Sequence, residues 1–172
     1  MARLIADIGG GPGHYAIDLL SQLPADWRGV VFDCYEDAGW LVRTASPELR
    51  ERIDVLQDDF SDRMPTGAGI YILGSILHNL DDADALGLLR RCRQTLDHSS
   101  ELLIIERRWN PRDLADSSRD LDMHILFGGR ERTDRELAEL LNGAGFIHST
   151  ITTTTDGYRI MTSTTHSEES PE

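Results

Sequence analysis

The chain has 172 residues, 40% of them hydrophobic and 27% charged, with a formal net charge of −13; this is the make-up of one soluble domain with enough apolar material for a substantial core. The acidic balance repels a phosphate backbone, so nucleic acid is excluded as an expected partner. No apolar run approaches the roughly 18 residues of a membrane span and no signal peptide opens the chain, so no membrane association and a cytoplasmic location are expected. All 17 basic residues are arginine. The lack of lysine excludes a Schiff-base enzyme, a pyridoxal phosphate enzyme and a Walker P-loop, and it reads as a base-composition bias of the source genome. Cys34 and Cys92 have no C-x-x-C partner and read as reduced packing thiols.

Leu4–Asp7 reads as a strand. It runs into the glycine turn Asp7-Ile8-Gly9-Gly10-Gly11-Pro12-Gly13, and an amphipathic helix follows over His14–Leu23, ended near Pro24. Such a junction presents bare backbone N–H groups and a positive helix end to a ligand. A dinucleotide fingerprint would read G-x-G-x-x-G, but here His14 takes the place of its third glycine, which weakens a pyrophosphate reading. Asp7, just ahead of the turn, suits a ligand with a cationic end. The alternative is a tight turn without a ligand. Because the turn starts at residue 7, no folded unit is expected in front of it.

Gly29–Asp33 is a second strand, apolar as a buried parallel strand should be. Asp37–Ala45 is expected to be helical, with a break at Ser46-Pro47. Ile53–Leu56 and Ile70–Leu73 are strands three and four. Asp82–Leu96 is a helix with acids in its first turn and arginines near its end. Leu102–Ile105 is the fifth strand. A helix over Asp116–Leu126 is broken by Gly128-Gly129. Thr133 and Glu136 form a capping box for the next helix, which ends at Asn142-Gly143. Phe146–Thr154 and Tyr158–Ser163 flank the hairpin signal Asp156-Gly157. The tail His166–Glu172 is expected to be disordered. Alternating strands and helices predict an α/β domain over residues 1–165: a mostly parallel, seven-stranded sheet covered on both faces, with a C-terminal antiparallel hairpin.

The chemistry-bearing residues fall at strand ends, where such sheets bind ligands. Asp33 stands 20 residues past Gly13, where an acid accepts hydrogen bonds from ribose hydroxyls; a turn aspartate is the plainer reading. Asp59 and Phe60, after the third strand, offer an edge and a face to a purine base. His78 follows the fourth strand, where a histidine can take a proton at neutral pH; a surface or capping histidine is the alternative. Asp81 and Asp82 read as helix-starting acids. Glu106 and Glu131 are two acids that could fix the tautomer of His78, or pair instead with Arg107, Arg130 or Arg132.

Taken in order, the segments Asp7-Ile-Gly-Gly-Gly, Val31-Phe-Asp33, Asp59-Phe60, Ile76-Leu-His78-Asn-Leu-Asp-Asp82, Leu102-Leu-Ile-Ile-Glu106, Asp122-Met123 and Gly128-Gly-Arg-Glu-Arg-Thr133 resemble the S-adenosylmethionine-dependent small-molecule O-methyltransferases of the plant caffeate and bacterial polyketide type. The likeness runs from residue 3 to about 163. It implies the Rossmann-like class I methyltransferase fold. It also implies S-adenosylmethionine as cofactor, held at Asp7, Gly9, Gly11, Gly13, Asp33, Asp59 and Phe60. His78 falls on the general base and Glu106 and Glu131 on the acids beside it. Met123, His124 and Phe127 fall on the helix that lines the acceptor pocket. The implied reaction is metal-independent methylation of a hydroxyl, phenolic by expectation, on a small-molecule natural product of secondary metabolism.

Three departures from that pattern shape the expectation. Gly74 stands where the family commonly has a lysine near the adenine, and Leu80 where a tryptophan covers it, so weaker cofactor binding is expected. The family also carries an N-terminal helical domain that dimerises and closes the acceptor pocket, with no counterpart ahead of Leu4. The competing expectation is therefore an isolated cofactor-binding domain, inactive alone or completed by a separate protein or a second copy. A third is a tailoring relative that binds the cofactor but runs other chemistry.

Overall fold

The computed structural model describes residues 2–59 and 63–165, apart from the side chains of 148 and 149. The expectations placed on Phe60 and on the tail 166–172 lie outside the described residues. Seven strands form one sheet: β1 (Leu4–Ile8), β2 (Arg28–Asp33), β3 (Ile53–Gln57), β4 (Ile70–Gly74), β5 (Glu101–Arg107), β6 (Ile147–Thr153) and β7 (Tyr158–Thr164), in the order β3-β2-β1-β4-β5-β7-β6. The first five run parallel to one another, and β7 runs antiparallel between β5 and β6. The predicted mostly parallel sheet with a terminal hairpin is thus observed.

Among the described residues there are five helices: α1 (His14–Gln22), α2 (Pro47–Arg50), α3 (Asp82–Thr95), α4 (Leu114–Phe127) and α5 (Asp134–Gly143). Strands that are apolar on both faces need a cover on each. On one face α1 packs Ala16 and Leu20 against Ile5, Val31, Ile53 and Ile72. On the other, α3 and α5 pack Leu88, Leu89, Leu137 and Leu141 against Ile8, Phe32, Leu73, Ile104 and Met161. Local signals set the helix ends. The Asp81 carboxylate caps α3 by accepting from Asp84 N–H at 2.8 Å, and the Thr133–Glu136 capping box on α5 is present.

Three local expectations are corrected. Residues 37–45 form turns and a single 3₁₀ turn over Val42–Thr44 rather than a helix. Tertiary backbone bonds draw this segment onto the glycine turn: Gly39 N–H donates to Gly11 O at 2.8 Å and Leu41 N–H to Pro12 O at 3.1 Å. Ser46-Pro47 is a start rather than a break, because Ser46 caps α2 and Pro47 opens it. Helix α4 begins at Leu114, two residues earlier than expected, because Asp113 caps it through Ala115 N–H at 2.8 Å. It buries none of its side chains. Among the described residues no helix is long and apolar enough to cross a membrane.

Candidate active site

The strand order reverses between β1 and β4, and a cleft of about 670 Å³ opens there at the carboxyl ends of the strands. Its floor is the glycine turn, Gly9 to Pro12, with His14 and Tyr15 at the start of α1. Asp33 and Tyr35 after β2, and Gly74, Ser75 and Ile76 after β4, form its sides. The far wall is Ile105 with Thr154, Asp156, Tyr158 and Ile160 of the hairpin. Gly9, Gly11 and Gly13 all have positive φ, between 51° and 96°, a backbone region that residues with a Cβ seldom enter. The Asp33 carboxylate holds the turn in place, accepting from Gly11 N–H at 2.8 Å and Tyr35 N–H at 3.1 Å.

The remaining cofactor candidates stand elsewhere. Gly13 packs against Val31 and Val42, outside the cleft wall. Asp7 is fully buried beneath the turn, where one oxygen accepts from Ala16 N–H at 3.3 Å and the other has no partner. Burial raises its pKa to about 7; the Ala16 bond opposes this and the charge of Asp33 adds to it. Asp59 follows β3 and is also outside the cleft wall.

His78, Glu106 and Glu131 meet beside the cleft, between Ile76 and Asn79 in its lining. His78 sits in a 3₁₀ turn, Leu77–Asn79. Its Nδ1 lies 2.7 Å from Glu106 Oε2, and Glu106 Oε1 accepts from Leu77 N–H at 2.9 Å. Both oxygens of this buried carboxylate are therefore committed, and the ring orientation is fixed. Glu131 is buried; one oxygen takes Arg119 Nε–H at 2.7 Å and the other has no partner. Burial alone pushes the His78 pKa down. The Glu106 hydrogen bond and the charges of both glutamates outweigh it, Arg119 opposes them, and the net direction is upward.

The ligand atoms of the three residues lie within 4.8 Å of one another, a spacing that a divalent cation can bridge. Arg119 holds one oxygen of Glu131, while Leu77 N–H and His78 Nδ1 face the two oxygens of Glu106.

Two packing features seat His78. Arg132, buried, donates to Leu77 O at 2.6 Å, Leu80 O at 2.8 Å and Asp82 at 2.9 Å, clamping the turn from both sides. A Cβ on Gly129 would lie 2.2 Å from His78 O and 2.4 Å from the Asn79 carbonyl carbon, so only glycine lets the two backbones approach.

The sequence offered Arg107, Arg130 and Arg132 as partners for the glutamates. The actual partner is Arg119, one helix away; Arg130 pairs with Asp82 and Glu136, and Arg132 with Asp82. Met123, His124 and Phe127 share α4, Met123 half-buried and the other two exposed, and none lines the cleft. Tyr15 went unread as well. Its ring fills the space that a side chain at Gly74 would need, its carbons lying 2.1 Å from a Cβ built there. Nor did any sequence signal mark Ser75, a non-glycine residue at φ 55° in the cleft.

The profile of the O-methyltransferase domain family matches residues 1–147. The chain is 33% identical over 156 residues to 3-amino-4-hydroxybenzoate 4-O-methyltransferase of Streptomyces cremeus, covering 88% of this chain and 42% of that protein. It is 38% identical over 144 residues to 8-amino-8-demethylriboflavin N,N-dimethyltransferase of Streptomyces davaonensis, covering 82% and 41%. Among solved structures, an O-methyltransferase from neocarzinostatin biosynthesis, in complex with S-adenosylmethionine and 2-hydroxy-5-methyl naphthoic acid, superposes with a TM-score of 0.82 at 33% identity, over 94% of this chain and 48% of that one. The chain thus spans less than half the length of these relatives.

Proposed function

Because the chain belongs to the O-methyltransferase domain family, we propose that it binds S-adenosylmethionine in the glycine-turn cleft and takes part in methylating a hydroxyl of a small natural product, with His78 as general base and no metal. The 2.7 Å contact of His78 Nδ1 with the committed carboxylate of Glu106 carries this reading. It leaves Nε2 as the ring nitrogen that can accept a proton.

The cleft fits the cofactor. Gly9 and Gly11 give it a wall without side chains, Asp33 offers a carboxylate for ribose hydroxyls, and Asp33 and Asp156 make its lining suit a cation. Asp59 stands after β3 as a further contact for the base. When bound, S-adenosylmethionine supplies an electrophilic methyl group that needs no further activation. The protein's task is then to align the acceptor and remove its proton.

A phenol near pKa ~10 faces an imidazole near ~6.5, an uphill transfer of roughly 3.5 units. The raised His78 pKa narrows that gap. Glu106 and Glu131 stabilise the imidazolium once it forms. A base of this kind favours a hydroxyl acceptor, since an amine can attack through its lone pair before it loses a proton. Met123 and His124, about one turn of α4 beyond Arg119, and Phe127, about two turns beyond it, are the side chains we assign to the acceptor.

Calorimetric titration should show binding of S-adenosylmethionine or S-adenosylhomocysteine. His78→Ala should lower methylation of a phenolic acceptor by about 10²–10⁴-fold while leaving that binding unchanged. No heat with either ligand would remove the cofactor reading; full activity in the variant would remove the base.

One observation favours a second reading, in which the chain works with a partner. Helix α4 exposes Leu114, Leu121, Ile125, Leu126 and Phe127, with Leu114 83% and Ile125 69% accessible. An apolar stripe of this size on the acceptor helix is a surface that another protein or a second copy would cover.

A further inference from the structure

Glu106 and Glu131 bring carboxylate oxygens to the imidazole of His78, and a third charged side chain, Arg119, joins Glu131 from a different element. Glu106 reaches the imidazole from β5 and Glu131 from the segment between α4 and α5; Arg119 arrives from α4 and binds Glu131 with Nε at 2.7 Å. Behind Arg119 stand Asp116, at 3.1 Å from its Nη2, and Asp120, whose carboxylate accepts from Glu131 N–H at 2.7 Å. On the opposite side Arg132 holds the Leu77 carbonyl and is itself paired with Asp82 of α3.

Two uncompensated carboxylates around one imidazole favour its imidazolium form, and an imidazolium cannot take a proton from an acceptor. We propose that Arg119 is a positioning residue of this site: by binding Glu131 it cancels one of the two negative charges and leaves His78 with the balance of a simple histidine–carboxylate pair. This rests on the reading of His78 as base. The same contact has a mechanical side. Helix α4 buries no side chain, so its hold on the domain at this point is polar: Arg119 on Glu131, Asp120 on the Glu131 backbone, and Arg119 on Arg108 O at 3.4 Å. The acceptor helix and the base are thus tied through one buried carboxylate.

The direction of the charge effect follows from its sign. A cation close to an imidazole disfavours its protonated form. Removing that cation raises the His78 pKa, and a reaction that needs neutral His78 then requires higher pH.

The test is an NMR titration of the histidine ring protons on the whole chain, with Arg119→Gln, Arg119→Lys and Glu131→Gln. The His78 midpoint should rise by about one pH unit in Arg119→Gln, stay near the wild-type value in Arg119→Lys, and fall in Glu131→Gln. An unchanged midpoint in Arg119→Gln, or an equal rise in Arg119→Lys, overturns the proposal. If Arg119→Gln does not fold, Glu131→Gln decides: a midpoint that does not fall overturns it. The pH profile of kcat/KM for methylation separates this proposal from the one beneath it. Its ascending limb should move with the midpoint; a midpoint that moves without the limb keeps the charge role of Arg119 and removes His78 as the base.

Discussion

Asp7 spends one carboxylate oxygen on the α1 N-terminus and leaves the other without a partner in a fully buried site. Its pKa of about 7 lies above the ordinary aspartate value of 3.8, so between those two pH values the folded chain holds a proton that the unfolded chain has lost. Stability from this group is therefore complete at low pH and is lost as pH rises from about 4 to about 7. Asp7→Asn keeps an acceptor for Ala16 N–H and has no charge to bury. It should melt above the wild type at pH 8, by a margin on the order of a few kcal/mol, and the margin should shrink toward pH 4. Thermal melts across that range check it; a variant no more stable at pH 8 would count against the assignment. The sequence named His78 and Glu106 because they stand at strand ends, and Glu131 because its segment matches the ordered motifs of the family resemblance. It did not name Arg119, because a pair spanning twelve residues across a helix–loop corner depends on how α4 pivots, and chain order carries no record of that.

Elements were legible wherever a local device terminates them. The capping box on α5 and the Asp81 cap on α3 are local chemistry, and both are observed. The segment 37–45 was misread because its fate is decided by backbone bonds to the glycine turn rather than by its own pattern. The pair Gly128-Gly129 shows both cases at once. Gly128, at φ 75°, ends α4 as a left-handed cap. Gly129 does something else: it lets its backbone touch the turn that carries His78. Gly129→Ala places a methyl against that backbone, where no side chain can yield. The variant should lose about 1–3 kcal/mol of stability, and its methylation activity should fall further than its folded fraction does. Chemical denaturation beside an activity assay separates the two; activity that merely tracks folding would make Gly129 a packing residue alone.

The donor half of the proposed site is drawn together inside this domain, while the acceptor half rests on a helix with an uncovered apolar face. That contrast gives the partner reading a direct test. The chain alone is expected to bind cofactor but to turn over acceptor slowly, and a protein or second copy that covers α4 should raise turnover and protect α4 amides from hydrogen exchange. Turnover by the isolated monomer at the rate of its full-length relatives would dismiss the partner. At this scale the sheet was readable from alternation alone, but the cleft wall was not, since the contribution of the hairpin depends on which sheet edge it joins. That edge has a consequence for biosynthesis. Among the described residues β7, which follows β6 in the chain, lies inside the sheet, and β6 has its ladder only with β7. A nascent chain can pair β1, β2 and β4 early, yet the wall formed by Tyr158 and Ile160 exists only once β7 has been made. A stop codon after Thr153 would therefore unpair the far flank of β5 and leave the cleft open on one side, so a truncated chain that keeps β6 would still lack this wall.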